Sequence, residues 1–186
     1  MNKQILLING LIKKGGNTDF LLRHLLDCAS AAVNEVVLRS AKIQHCTDCE
    51  FCLSNGGKCC FNDDMSLIFD YSKTADYVII ASPIVFENVS GYISNAISRF
   101  QSAYGKADFS NLPQVGKPKK AIIILTGGGG GGKPVMAEKT TRLFAKMLNS
   151  KTIEFITSYN TDTIKAKDDM VAIDKLEKII QEINAN

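Results

Sequence analysis

Short apolar runs alternate with amphipathic stretches along most of this chain. Residues 76–82 and 120–125 are apolar almost without interruption, and 4–9 forms a shorter run of the same kind. Such runs are typical of strands that are buried on both faces of a sheet. Residues 18–32 instead carry leucines at helical spacing, which predicts a helix packed against that sheet by one face. The chain is therefore predicted to alternate strands and helices from residue 4 onward.

The complete pattern predicts five strands and five helices. Strands that alternate with helices form a parallel sheet with right-handed crossovers and helices on both faces. Five strands in 186 residues favour a flavodoxin-like three-layer α/β sandwich of strand order 2-1-3-4-5, as a single domain over 1–186 with a cysteine-rich insertion at 44–62. The predicted strands are 4–9, 35–39, 76–82, 120–125 and 152–158, and the predicted helices are 18–32, 63–73, 89–104, 134–148 and 169–183.

Composition and charge narrow the class of protein. The chain is 45% hydrophobic and 22% charged, and its net charge of +3 is spread along the sequence without basic blocks. That distribution is typical of a globular protein and argues against a nucleic-acid surface or a membrane partner. The apolar run Ile5–Ile8 is shorter than the core of a secretory signal, so we expect a cytoplasmic protein. Thiols stay reduced there, which favours metal-binding or redox-active cysteines over a disulfide scaffold.

Three loops follow the predicted strands at their carboxyl ends, where ligands bind in open α/β sheets. Residues 9–18 (NGLIKKGGNT) place two glycines before a helix start, which suits a phosphate, although the loop matches neither the Walker A pattern nor the Rossmann fingerprint. Residues 82–91 (SPIVFENVSG) offer apolar bulk to a flat ring, and 126–132 (TGGGGGG) allow close backbone approach. Each loop alone also fits a structural role: a helix start, a loop that closes the core, and a surface loop. Together the three predict a mononucleotide crevice.

Five of the six cysteines lie within 46–60 (CTDCEFCLSNGGKCC). Cys46, Cys49 and Cys52 repeat at C-x2-C-x2-C, the spacing with which a bacterial ferredoxin run holds an iron-sulfur cluster, and Cys59 or Cys60 would be the fourth ligand. Zinc ranks second, because structural zinc usually takes two separated C-x2-C pairs. Reduced thiols packed under a loop and an adventitious disulfide remain alternatives.

The other polar candidates predict structural roles. Cys28 stands in an apolar stretch of the first helix and is predicted to lie in the core. His24 is predicted at the surface, and His45 is either a ligand or a solvated loop residue. Asp63 and Asp64 precede a helix and are predicted to cap it. The sequence contains no legible Ser-His-Asp or Cys-His arrangement, so no catalytic side chain is predicted.

Four motifs together resemble the NADPH-dependent FMN reductase family of flavodoxin-like proteins, and within it the iron-sulfur flavoproteins. They are GLIKKGGNT at 10–18, the cysteine spacing followed by DDM at 63–65, SPIVFENVSGYISNAISR at 82–99, and the Thr-Gly-Gly run after the fourth strand. The resemblance spans roughly residues 3–150. Leu11, Ile12 and Lys13 depart from the family's Ser-Pro-Arg, and Val85 departs from its tyrosine.

The resemblance implies FMN and a 4Fe-4S cluster as cofactors and NAD(P)H as an electron donor. It implies that the FMN phosphate binds Lys13, Gly16, Asn17 and Thr18 with the backbone of Leu11 and Ile12. It also implies that the isoalloxazine lies between Pro83, Ile84, Val85 and Phe86 on one side and Thr126, Gly127 and Gly128 on the other. The implied cluster ligands are Cys46, Cys49, Cys52 and Cys59.

Three hypotheses about function follow. The first is an FMN-dependent oxidoreductase or electron-transfer flavoprotein whose iron-sulfur cluster passes single electrons to or from the flavin. The second is an NAD(P)H-dependent FMN or quinone reductase whose cysteines bind nothing. The third is a non-catalytic flavodoxin-like protein with a zinc-binding or redox-sensing cysteine loop. The expected partners are a small-molecule or protein electron donor or acceptor, and the resemblance implies a homodimer or homotetramer.

Overall fold

The computed structural model describes residues 3–104, 114–129 and 132–185. Its strands are β1 (Gln4–Asn9), β2 (Ala32–Val37), β3 (Tyr77–Val85), β4 (Asn88–Val89), β5 (Lys119–Thr126) and β6 (Ser150–Ser158). Its helices are α1 (Asn17–Cys28), α2 (Phe51–Ser54), α3 (Met65–Thr74), α4 (Gly91–Ser98), α5 (Gln101–Tyr104), α6 (Val135–Met147) and α7 (Met170–Ala185), with a 3-10 helix at Ala166–Asp168.

Five parallel strands form the sheet in the order β2-β1-β3-β5-β6. Numbered as the five predicted strands, this is the order 2-1-3-4-5, so the flavodoxin-like α/β fold is confirmed. The sixth strand, β4, was not predicted: its two residues pair antiparallel with the end of β3 in a tight hairpin. Pairing places the carboxyl ends of β1, β3 and β5 side by side, which positions the loops that follow them.

Hydrophobic residues fill both faces of the sheet. Successive residues of the central strands point to opposite faces. Leu6 and Ile8 therefore pack with α3, α4 and α6 on one face, whereas Ile5 and Leu7 pack with α1 and α7 on the other. All four side chains are fully buried. Because a buried aliphatic side chain contributes about 1.5–3 kcal/mol, these runs account for the sheet's stability and its position at the centre of the molecule.

Several predicted elements have different bounds in the structure, and α1 ends at Cys28 rather than at residue 32. β2 begins at Ala32 rather than at residue 35, because Ala32 pairs with Gln4 at the open edge of the sheet, where mostly exposed residues hide the strand pattern. The helix predicted over 89–104 is two helices, and the turn between them contains Arg99 and Phe100. Ser90 caps α4 by accepting a hydrogen bond from the amide of Ile93, which starts this helix at residue 91.

The prediction that Cys28 lies in the core is wrong. Cys28 is the last residue of α1 and is exposed, whereas Leu21, Leu22 and Leu25, which precede it in the helix, fill the face that packs on the sheet. His24 is partly exposed, as predicted, and its imidazole lies 2.5 Å from a carboxylate oxygen of Glu177.

No helix within the described ranges is long and apolar enough to cross a membrane.

Candidate functional site

A cavity of about 620 Å³ opens at the carboxyl edge of the sheet, between the loops that follow β1, β3 and β5. Nine of the eleven residues predicted to bind the cofactor line it. The structure thus brings the three predicted loops to one crevice. The nine residues are Lys13, Gly16, Asn17, Thr18, Pro83, Ile84, Thr126, Gly127 and Gly128.

The loop after β1 is shaped by its own hydrogen bonds. Gly15 adopts a φ of 71°, a left-handed conformation that glycine takes without steric cost, and its amide donates to a carboxylate oxygen of Asp19 at 2.8 Å. The amide of Leu11 donates to the side-chain oxygen of Asn9 at 3.0 Å, and the Asn9 amide group donates to Glu35 at 2.7 Å. The loop is therefore fixed in place without a ligand.

A buried side-chain hydrogen bond joins this loop to β5. The hydroxyl oxygens of Thr18 and Thr126 lie 2.7 Å apart, and both residues are buried. This bond connects the first helical turn of α1 to the end of a neighbouring strand. The hydroxyl of Thr18 thus has a protein partner already.

Two glycines after β5, Gly127 and Gly128, have close neighbours where a side chain would begin. A methyl group on Gly128 would come within 2.3 Å of a carboxylate oxygen of Asp162, and one on Gly127 within 3.1 Å of Ile84. The same Asp162 carboxylate accepts a hydrogen bond from the amide of Gly129 at 2.8 Å. These contacts explain why small residues stand here. Gly130 and Gly131 of the predicted loop lie outside the described residues.

Val85 and Phe86 lie at the rim of the crevice, in the β3–β4 hairpin. Phe86 and Glu87 form its tip with φ values of 47° and 62°, and the Phe86 side chain is fully exposed. Phe86 lines a neighbouring cavity of about 240 Å³, together with Ile84 and Glu87. The structure therefore does not bring Val85 and Phe86 to the walls of the main crevice.

A fourth loop contributes residues that the sequence reasoning missed. Thr161, Lys165 and Lys167 follow β6 and line the main crevice. The backbone amide of Ala166 donates to the side-chain oxygen of Asn17 at 3.0 Å, so this connection packs on the start of α1. Because it follows a parallel strand at the same edge of the sheet, the rule that located the other three loops also locates this one.

The cysteine-rich segment forms a second, smaller cavity of about 80 Å³. The sulfur atoms of Cys49 and Cys60 are 3.5 Å apart, and all six cysteines of the chain are free. In the part of the chain that the structure describes, no three His, Cys, Asp or Glu side chains are arranged to hold a metal ion. The cysteines share a cavity but do not form a finished metal site. The cysteines that line it are Cys46, Cys49, Cys52, Cys59 and Cys60.

Local contacts give the thiols of this segment different pKa values. The backbone amide of Phe51 and the thiol of Cys60 donate towards Cys49 and lower its pKa, whereas the hydrogen bond to Cys49 raises the pKa of Cys60 to about 11. Burial raises the pKa of Cys52. Cys49 is therefore more acidic than Cys52 and Cys60, the other two cysteines with shifted values.

Arg99 contacts both ends of the cysteine segment, residues 46–60. Its guanidinium group is buried, lies 2.5 Å from a carboxylate oxygen of Asp63, and donates to the carbonyl of Gln44 at 2.8 Å. It also lies over the ring of Phe61 at 5.2 Å. Gln44 precedes the first segment cysteine and Phe61 follows the last. One side chain of α4's carboxyl end therefore holds both ends of the segment.

Asp63 does more than cap α3. One carboxylate oxygen of Asp63 accepts the amide of Met65, the first residue of α3, at 3.1 Å, and the other accepts the amide of Gln44 at 3.0 Å and the Arg99 guanidinium. Asp64, which stands at the N-cap, makes no side-chain hydrogen bond to the helix, so the prediction that it caps α3 is wrong. Burial opposes ionisation of Asp63, yet the hydrogen bond from Arg99 lowers its pKa below the ordinary value. His45 is exposed and does not line the cysteine cavity.

The curated relatives of this chain carry one description. Two proteins of Archaeoglobus fulgidus described as iron-sulfur flavoproteins are similar to it. One is 32% identical over 103 residues, covering 54% of this chain and 50% of the relative. The other is 34% identical over 95 residues, covering 50% and 43%. The chain thus matches about half the length of these curated relatives.

Solved structures share the complete fold at low identity. An azoreductase from Bacillus anthracis superposes with a TM-score of 0.71 at 14% identity, over 99% of this chain and 100% of the other. An FMN-dependent NADH-azoreductase from the same species, in complex with FMN, gives a TM-score of 0.71 at 13% identity, covering 98% of each chain. At these identities the likeness concerns the fold alone.

The model of the NADPH-dependent FMN reductase family matches residues 4–162. The match contains β1 to β6 and all three predicted cofactor loops, so both the resemblance and the assignment to an oxidoreductase family are confirmed. The chain belongs to the NADPH-dependent FMN reductase family.

Proposed function

We propose that this chain is an FMN-dependent oxidoreductase that takes electrons from NAD(P)H. The observation that carries the proposal is the crevice of about 620 Å³ at the carboxyl edge of the sheet, lined by a helix start, an apolar loop and a glycine run. Ligands of doubly wound sheets bind at this edge, and the size lies within the range of small-molecule sites. The family match over residues 4–162 supports the same cofactor.

The residues of the crevice fit a mononucleotide. The first backbone amides of α1 have no partner within the helix, and residues at the start of this helix line the crevice, where such amides suit a phosphate. Pro83 and Ile84 offer an apolar wall, and Gly127 and Gly128 face it with bare backbone. When bound, the flavin would supply reversible uptake of two electrons. The chain's own residues would hold it and limit the access of water.

The side chains of the crevice indicate how the chain takes part. The charged residues among those that line it are Lys13, Lys165 and Lys167. Lysines at neutral pH bind anions, and none of the lining groups is a carboxylate or imidazole that would exchange protons near pH 7. We propose that the protein provides position and electrostatics, and that no side chain of the crevice acts as a general acid or base.

We further propose that Cys46, Cys49, Cys52 and Cys59 bind an iron-sulfur cluster of the 4Fe-4S type. Support comes from their C-x2-C-x2-C spacing, the one cavity that they line, and the description of the curated relatives as iron-sulfur flavoproteins. The thiolate donor set fits such a cluster, and metal binding commonly completes a site that the apoprotein leaves unfinished. A bound cluster would supply one-electron transfer.

A reductase without a cluster is the second candidate. It is favoured by the absence, among the described residues, of three ligating side chains arranged around one point. In that case Cys49 and Cys60 are an exposed dithiol pair beside a working flavin site.

Anaerobic purification distinguishes these candidates. We expect flavin absorbance together with a broad brown shoulder, and reconstitution with iron and sulfide should restore the shoulder in colourless protein. Serine variants of Cys46, Cys49, Cys52 or Cys59 should lose the shoulder and keep the flavin, whereas Cys28→Ser should keep both. Flavin absorbance alone after reconstitution would favour the cluster-free reductase. Colourless protein that contains zinc and binds no added FMN would contradict both.

We also propose that the protein is a cytoplasmic homo-oligomer. The thiols of the cysteine segment are exposed or partly exposed and would need a reducing compartment to serve as ligands. The hairpin tip with Phe86 lies against the start of α6, where Val135 and Met136 are about half exposed. Burying these apolar side chains against a second copy would cover the rim of the crevice. Sedimentation of wild type and Phe86→Asp tests this, since a monomeric wild type would contradict it.

A further inference from the structure

Several polar groups of the loop predicted to hold a phosphate already make hydrogen bonds within the protein. The amide of Gly15 donates to Asp19, the side-chain oxygen of Asn17 accepts from Ala166, and the Thr18 hydroxyl is hydrogen-bonded to Thr126. What this loop still offers an anion is the first amides of α1, the amide group of Asn17 and the ammonium group of Lys13. This is less than the sequence alone indicates.

The β1–α1 loop also carries less positive charge than a bound phosphate would carry negative charge. A phosphate monoester carries about −1.5 to −2 charges at pH 7, and Lys13 is the one basic side chain of the β1–α1 loop that lines the crevice. Asp19 places a carboxylate in the first turn of α1, although Arg23 lies 3.5 Å from it and partly offsets its charge. Further positive charge from another part of the chain would therefore strengthen the binding of a phosphate here.

The connection after β6 supplies that charge. Lys165 and Lys167 line the same crevice, and the segment between them is fixed to the phosphate loop by the hydrogen bond from Ala166 to Asn17. The ammonium group of Lys165 donates to the carbonyl of Thr161 at 2.8 Å, which orients its side chain. Among the described residues neither lysine has a carboxylate within ion-pair distance, and the nearby Asp162 is held by the amide of Gly129.

We infer that Lys165 and Lys167 form the second half of a phosphate-monoester site, beside the start of α1 at the same end of the crevice. This inference rests on the proposed function and adds the residues that select a phosphorylated ligand. Two sources share the required chemistry: the 5′-phosphate of FMN and the 2′-phosphate of NADPH. The lysines discriminate FMN from riboflavin in the first case and NADPH from NADH in the second.

Comparing ligands with and without the phosphate isolates this contribution. FMN and riboflavin are titrated into the apoprotein, with flavin fluorescence as the readout, for wild type, Lys165→Gln, Lys167→Gln and the double variant. The matched control is Lys139→Gln/Lys178→Gln, which removes the same charge from exposed positions that do not line the crevice. Circular dichroism checks that every variant is folded. The FMN-loaded proteins are then assayed with NADPH and NADH.

We expect the double variant to bind FMN about tenfold more weakly at low salt, since hydrogen bonds to charged groups are worth more than neutral ones. Its affinity for riboflavin should stay within about twofold, and the control should match wild type for both ligands. Added salt should shrink the difference between wild type and the double variant, because it screens exposed charges.

Each outcome decides the inference. Selective weakening of FMN assigns the lysines to the flavin phosphate. Unchanged FMN affinity with a lost preference for NADPH over NADH assigns them to the 2′-phosphate. If both ratios equal those of the control, the inference is wrong while the flavin site stands. If wild type binds neither FMN nor riboflavin, the proposed function fails as well.

Discussion

The crevice and the cysteine cavity are built in opposite ways. The crevice lies across the ends of β1, β3 and β5, so residues from four loops close it and hydrogen bonds run between the loops. The Thr18–Thr126 pair is one such bond, and the amide of Thr161 donates to the carbonyl of Gly127 at 3.0 Å. The walls of this cavity are set by the sheet, and they are in place before any ligand binds.

The cysteine cavity instead comes mainly from one continuous segment. Its sulfurs are exposed or partly exposed, and Asp48 and Glu50 adopt left-handed conformations that are uncommon outside glycine. Its main attachment to the domain is the buried pair of Arg99 and Asp63. The comparison teaches that a sheet positions the residues of a site by itself, whereas a cysteine loop outside the sheet depends on an anchor such as Arg99.

Removal of the Arg99 anchor should have the largest effect. Arg99→Gln leaves the buried Asp63 carboxylate unpaired, and breaking a buried ion pair in this way typically costs about 3–5 kcal/mol. We expect urea unfolding to show a loss of that order. Lys73→Gln is the matched control, because its ion pair with Asp70 at 2.7 Å is exposed and should cost less than about 1 kcal/mol. Equal losses in the two variants would contradict the anchor.

Alanine substitutions at glycines of the two regions test whether the crevice tolerates movement less than the cysteine segment does. In Gly128→Ala the new methyl group collides with the Asp162 carboxylate, which must move and give up its hydrogen bond from the amide of Gly129, so the glycine loop loses this support and FMN should bind about tenfold more weakly. Gly132→Ala meets no atom within 4 Å and is the control within the same loop. Fluorescence titration with FMN measures both variants. Near-equal affinities would show that the crevice tolerates movement and is not rigidly preformed.

The corresponding change in the cysteine segment is Gly56→Ala. Gly56 has open space around it, but its φ of 59° disfavours alanine by about 1 kcal/mol. We therefore expect a small loss of stability and unchanged FMN affinity. A loss of FMN affinity comparable to that of Gly128→Ala would show that the two regions are coupled.

The sequence predicted the crevice better than the cysteine cavity for a physical reason. Strands buried on both faces leave uninterrupted apolar runs, and the order of a parallel sheet then places its loops at one edge. The cysteine spacing correctly indicated that the sulfurs share a region. Its anchor depends on Arg99 meeting Asp63 across 36 residues, and no local pattern reports that contact. The two aspartates therefore suggested helix capping alone.

Long-range contacts also explain the other omissions. Ala166 and Asn17 are separated by 149 residues, so no local pattern reports the hydrogen bond between them, although the carboxyl end of the predicted strand 152–158 indicated the loop that carries Lys165 and Lys167. Cys28 was assigned to the core because its neighbours are apolar. Its helical phase also lies close to that of the buried Leu21, so the phase favours the same assignment. What the sequence did not show is that α1 ends at Cys28 and leaves its side chain exposed.

Acid should weaken the anchor through Asp63, and this is the smallest effect we predict. Because the pKa of Asp63 is lower in the folded protein than in the unfolded chain, its ionised form contributes stability above the ordinary aspartate pKa near 3.8. That contribution is lost as the pH falls through the lowered folded value. Wild type should therefore lose more stability than Asp63→Asn between pH 5 and about pH 2, as measured by urea unfolding. Parallel curves for the two proteins would mean that the Arg99–Asp63 pair does not depend on the charge of the carboxylate, and that the cysteine segment is held mainly by its hydrogen bonds to Gln44.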